Sequence, residues 1–149
     1  GRLMCTAMRD PGLLLEALKI LSTKNIINDK VCRVCWYVDP ASQKLITAEA
    51  DKAGVLSFMD FKEYVQATDI PSVLNNSSVL LLLANRSEKN GPKGIMTTKF
   101  FESLAVEKPI LCVRSDESYL ESALRESKAG VAARHVEEAC RILENYFEE

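Results

Sequence analysis

The chain has 149 residues, 47% of them apolar and 27% charged, and a formal net charge of −2. These figures suit one ordinary globular domain with room for a sizeable core, and the slight acidity argues against the basic face of a nucleic-acid binder. The longest apolar run, Val79 to Ala84, is far shorter than the roughly 18 residues of a membrane span. Arg2 is followed by neither a long apolar stretch nor a small-residue cleavage site, so no secretory signal is expected.

In chain order, a short strand over residues 2–6 leads through Arg9-Asp-Pro-Gly12 into a helix from Leu13 to Ser22, where Leu14, Leu15, Leu18 and Leu21 recur at helical spacing. The β-branched and aromatic run from Val31 to Val38 reads as a central strand. Pro40 opens a polar helix ending near Ala53, with Gly54 as its C-terminal stop. A strand over Leu56 to Phe61 precedes a helix start with Asp69 as cap and Pro71 in the first turn. Val79 to Ala84 is apolar throughout, as in a strand covered on both faces.

After a loop from Asn85 to Met96 come a short helix carrying Glu102, a strand from Ile110 to Val113 and a helix from Glu117 to Ser127 stopped by Gly130. A strand from Val131 to Ala133 and a last helix from Val136 to Phe147 follow. Strand and helix in alternation predict the α/β class, a doubly wound, Rossmann-like parallel sheet with helices on both faces. The chain starts abruptly in a strand, which raises the expectation of an excised domain.

Five cysteines, an odd number without a framework spacing, predict reduced thiols in a cytosolic protein. Cys32 and Cys35 have the spacing of a redox or zinc pair. Residues three apart on a strand point to opposite faces, however, so these sulfurs diverge, whereas a working pair needs a turn or helix start to bring them together. Both are expected to be buried structural thiols. His135, the single histidine, is expected on the surface at a helix start, and no metal site is expected.

In a doubly wound sheet, ligands bind beyond the carboxyl ends of the strands. That rule gathers Ala7 to Pro11, Asp39, Phe61 to Thr68, Asn85 to Thr98 and Arg114 to Asp116. Helix starts after these loops offer unsatisfied N–H groups and a positive dipole end, which suits a phosphate. On the helix carrying Glu102, about 100° per residue puts Phe100, Phe101, Leu104 and Ala105 on the core face. Glu102 falls off that face and shares an edge with Thr98, while Lys99 sits nearly opposite the core. Glu102 is then either a solvated carboxylate paired with Lys99 or an acceptor for two vicinal hydroxyls, as on a ribose.

The segment KFFESLAVEKPIL (99–111) resembles the K-x-x-E-x-L-A-x-G-K-P-I-L signature at the donor-binding end of GT-B glycosyltransferases. MRDP (8–11) with LLEAL (14–18) is similar to the family's R-x-P-x-x-L-L-E-A-L opening, and DIPSVLNNSSVLLL (69–82) to its E-I-P-x-L-L-x-x-A-D-V-L-L-L segment. The likeness covers nearly the whole chain and corresponds to the C-terminal domain of that fold.

The resemblance implies that Glu102 binds the ribose hydroxyls of a nucleoside-diphosphate sugar and that Thr97, Thr98 and Lys99 form the helix start holding its diphosphate. It places Arg9 near the phosphates, where a guanidinium would stabilise the leaving nucleoside diphosphate. Tyr64 and Val65 match the segment lining the nucleobase. Two positions depart from the pattern: Gly94 stands where many retaining members carry a second Glu that contacts the donor sugar, and Glu107 replaces the usual glycine after the helix, so the helix is expected to end differently. By the same resemblance the chain (1–149) is one nucleotide-sugar-binding domain whose acceptor domain lies outside it, inactive alone.

The implied activity is metal-independent, hexosyltransferase-type transfer in polysaccharide biosynthesis, with no cofactor and a glycan or lipid-linked acceptor. It implies a cytoplasmic protein, the full-length form peripherally associated with the inner membrane face. A sugar-nucleotide epimerase of the same fold, a non-catalytic nucleotide-binding module and an oxidoreductase using Cys32 and Cys35 are the alternatives.

Overall fold

A computed structural model describes residues 10–63, 65–83, 98–113 and 118–148. They fall into two compact units, one of residues 10–63 with 135–148, the other within 65–134. Both are α/β, and every described strand pairing is parallel. The expected strand at 2–6 lies outside the described residues.

In the first unit, α1 (Gly12–Thr23) turns Leu13, Leu14, Leu15, Ala17, Leu18 and Leu21 inward. It packs on α6 (Val136–Glu148), whose buried side is Ala139, Cys140 and Leu143. The Cys140 thiol points at the Ala17 carbonyl 3.9 Å away. α1 starts where the Asp10 carboxylate accepts from the Gly12 N–H at 2.7 Å. It stops at Asn25, whose φ of 59° is left-handed, while the Ile26 N–H donates to Leu21.

Strand β1 (Val34–Trp36) pairs with β2 (Met59–Phe61), Val34 opposite Met59. The inner face holds Trp36, its indole N–H directed at the Met59 sulfur at 3.1 Å. On the other face, exposed Cys35 lies opposite Asp60, which pairs with Lys62 at 2.9 Å. α2 (Pro40–Ala53) runs between the strands and has the expected ends. The Asp39 carboxylate accepts from the Ser42 N–H at 2.8 Å, and Gly54 turns left-handed at φ 75°.

Three elements differ from expectation in this stretch. The strand at 31–38 shrinks to Val34–Trp36, because Asn28 Oδ1 takes the N–H groups of Lys30 and Val31 in a local turn that competes with strand pairing. Leu56–Phe58 is a single 3₁₀ turn, leaving β2 only three residues. Asp69 does not cap: it ends a 3₁₀ turn over Ala67–Asp69, and the following helix α3 (Ile70–Asn75) has no side-chain cap.

The second unit is a three-stranded sheet of β3 (Leu80–Leu83), β4 (Ile110–Val113) and β5 (Gly130–Ala133), in the order β3-β4-β5. All four residues of β4 are buried, as befits a central parallel strand. β3 alternates between buried and half-buried residues. Leu80, Leu82, Ile110 and Cys112 meet Leu120 and Leu124 of α5 (Ser118–Ser127) in one core. Leu104 of α4 (Thr98–Ala105) and Val106 pack against it. Full burial of each such aliphatic side chain contributes about 1.5–3 kcal/mol.

Gly130 does not stop α5. Lys128 takes the left-handed conformation at φ 54°, and the Ala129 N–H donates to Leu124 at 3.2 Å. Gly130 instead opens β5, where a Cβ would lie 1.9 Å from the Ile110 carbonyl oxygen.

Candidate functional site

Of the candidate residues, Thr98, Lys99 and Glu102 share α4, the first two as its opening residues. Val65 is half-buried. Arg9, Tyr64 and Thr97 lie outside the described residues, as does Gly94. Glu102 is exposed.

The inward side of α4 is not the expected one. Phe101 is 56% exposed and Ala105 is exposed too, whereas Ser103 is buried at 7%. The helix is therefore rotated so that Ser103 and Leu104 face the sheet, and positions 101, 102 and 105 share the outward side. A small side chain at 103 lets the helix backbone approach the strands closely.

After α4, Glu107 adopts φ 55°, and its N–H donates to the Leu104 carbonyl at 3.2 Å. The helix thus keeps the left-handed exit that a glycine would give, at a cost of about 1 kcal/mol for a residue with a Cβ. The expectation of a different ending is corrected here. The helix's own hydrogen bonding and the turn into β4 dictate the exit, whatever side chain stands there.

The helix starts differ in what they offer an anion. The first N–H groups of α1 and α2 are occupied by the Asp10 and Asp39 carboxylates. α5 has Glu121 in its first turn, and α6 has Glu137 and Glu138, the latter accepting from the His135 N–H at 3.3 Å. The first turn of α4 has no acidic residue. The sequence leading into it, from Lys89 to Phe101, holds Lys89, Lys93 and Lys99 and no carboxylate. A carboxylate at a helix start would compete with an anion for the same N–H groups and the same dipole.

Cys32 has the expected burial, whereas Cys35 departs from it. Cys32 is buried and Cys35 exposed, and both are free. Burial pushes the Cys32 thiol up to about 11, the opposite of what a reactive thiolate needs. His135 is exposed just before α6. No described helix is long and apolar enough to cross a membrane.

No family profile matches the chain, and no curated protein matches it. Solved structures share its fold. WaaG, a glycosyltransferase involved in lipopolysaccharide biosynthesis, superposes with a TM-score of 0.62 over 97% of this chain at 16% identity. A mutant form of the Thermobaculum terrenum O-GlcNAc transferase does so with a TM-score of 0.56 over 91% at 14% identity. This chain spans 36% and 28% of their respective lengths. Both are GT-B enzymes, so the chain has a glycosyltransferase-like α/β fold with the Rossmann-like character expected.

Proposed function

We propose that the chain is the donor-binding half of a glycosyltransferase that moves a sugar from a nucleoside-diphosphate sugar to a glycan or lipid-linked acceptor. The observation that carries this reading is the make-up of α4: a first turn without an acidic residue, followed one turn later by the exposed Glu102. The N–H groups of Thr98 and Lys99, with Thr97 before them, would hold the diphosphate. The Glu102 carboxylate would accept from the two ribose hydroxyls, bonds to a charged acceptor worth about 1.5–3 kcal/mol.

Arg9 would stabilise the negative charge that grows on the leaving diphosphate as the glycosidic bond to the donor breaks. Tyr64 and Val65 would line the base. In this reading an acceptor-binding domain outside the chain completes the enzyme, which needs no metal or cofactor and adds hexosyl units in polysaccharide synthesis. Its place would be the cytoplasm, at the inner face of the membrane.

Calorimetric titration with UDP, GDP, TDP and ADP, beside Glu102→Gln, tests the reading. One nucleotide is expected to saturate the chain, and the substitution should weaken it by roughly tenfold to a hundredfold, following the lost hydrogen bonds. Tight binding indifferent to the substitution would move the site away from α4. Failure of all four nucleotides to bind, repeated with the full-length protein, would remove the transferase reading.

A further inference from the structure

α5 and β5 enclose a shallow groove of about 550 Å³, lined by Glu121, Leu124, Arg125, Lys128, Val131 and Ala132. Glu121 is already committed to Arg134, which grips it with two bonds of 2.5 and 2.8 Å. Arg125 and Lys128 remain as exposed cations on the wall, a positive surplus in a chain whose net charge is −2.

The other wall is a sheet edge. β5 ends the order β3-β4-β5, so among the described residues no strand pairs with its outer side. The Ile110 N–H donates to the Ala129 carbonyl at 2.9 Å. In a parallel ladder of that register, the backbone groups of Val131 turn toward β4 and those of Ala132 turn outward. Gly130 and Ala132 carry little side chain to keep another backbone away.

We propose that this groove docks an extended, acidic segment of a partner polypeptide, which adds alongside β5 as a further strand and sets its carboxylates against Arg125 and Lys128. Backbone pairing at the edge would supply the register, and the cations would select the charge. Cations beside a short edge strand can also serve as guards that repel a second sheet edge. The two roles give opposite results when the charges are removed.

The test is an amide NMR titration of the labelled chain with a capped heptapeptide alternating Glu and Val. Its controls are a Lys and Val counterpart and the acidic peptide N-methylated at every residue. The acidic peptide is expected to shift the amides of Lys128, Val131 and Ala132 to saturation. Both controls, and Arg125→Gln with Lys128→Gln in the chain, should weaken binding at least tenfold. Absence of shifts at β5 with millimolar peptide overturns the proposal. Equal binding of the methylated peptide does so too, since strand pairing is then not involved. Tighter binding or self-association of the double variant would assign the cations the guarding role instead. An unchanged thermal midpoint of that variant shows that its fold is intact.

Discussion

Ser103 is buried at 7% while Phe101, two positions earlier on the same helix, is 56% exposed. The packing of α4 therefore depends on a small residue. Ser103→Leu is expected to push the helix off the strands and to destabilise the chain by about 1–3 kcal/mol, the usual penalty for overfilling a packed site. Phe101→Ala should cost under about 1 kcal/mol, because little burial is lost. Urea unfolding of both variants checks the ranking, and the reverse order would return Phe101 to the core.

Glu107 sits left-handed at φ 55°. Glu107→Gly should stabilise the chain by roughly 0.5–1 kcal/mol, the steric cost of a Cβ in that conformation less the entropy a glycine adds to the unfolded chain. A higher urea midpoint with an unchanged denaturant slope is the expected result. A lower midpoint would mean that the exit is not left-handed in solution.

Two glycines should respond unequally to Ala. At Gly54 a Cβ meets nothing within 4 Å, and only the φ of 75° resists it, so Gly54→Ala should cost about 1 kcal/mol. At Gly130 a Cβ would overlap the Ile110 carbonyl oxygen, at 1.9 Å. Backbone cannot rotate away as a side chain can, so about 3 kcal/mol or more is expected there. Thermal unfolding of the two variants side by side measures the difference.

Cys32 and Cys35 should label differently. At pH 8, iodoacetamide is expected to modify exposed Cys35 in the folded chain and to reach buried Cys32 only in urea. Because the folded Cys32 thiol is raised from 9.0 to about 11, its contribution to stability is intact below pH 9.0 and is lost as pH climbs from there towards 11. Over that window the unfolded chain releases a proton that the folded chain retains. Cys32→Ala should flatten the fall of the urea midpoint between pH 8.5 and 10.5, and an unaltered slope would show that other groups cause it.

Signals written within a few residues were legible in the sequence. α2 could be read at both ends, since Asp39, Pro40 and Gly54 each act on the backbone beside them. β4 occupies Ile110–Val113, as its apolar run between Pro109 and Arg114 indicated. Where the outcome depended on competition or packing, the reading failed. Asn28 captures backbone that the β-branched character of Val31 assigns to a strand, Lys128 takes the turn expected of Gly130, and the facing of α4 follows the fit at Ser103. The motif located Glu102 on an exposed helix edge. Arg9, Thr97 and Tyr64 lie outside the described residues.

The Cys140 thiol beside the Ala17 carbonyl joins parts of the chain 123 residues apart. The unit they belong to is interrupted in sequence by the other, which is continuous from 65 to 134. During synthesis the intervening unit is therefore fully translated before α6 exists, and until then the leucine-rich side of α1 lacks the helix that covers it. Because α6 follows α1 only after the whole intervening unit, maturation of the interrupted unit waits for α6, and a chain cut off before it would offer a greasy surface to chaperones and proteases.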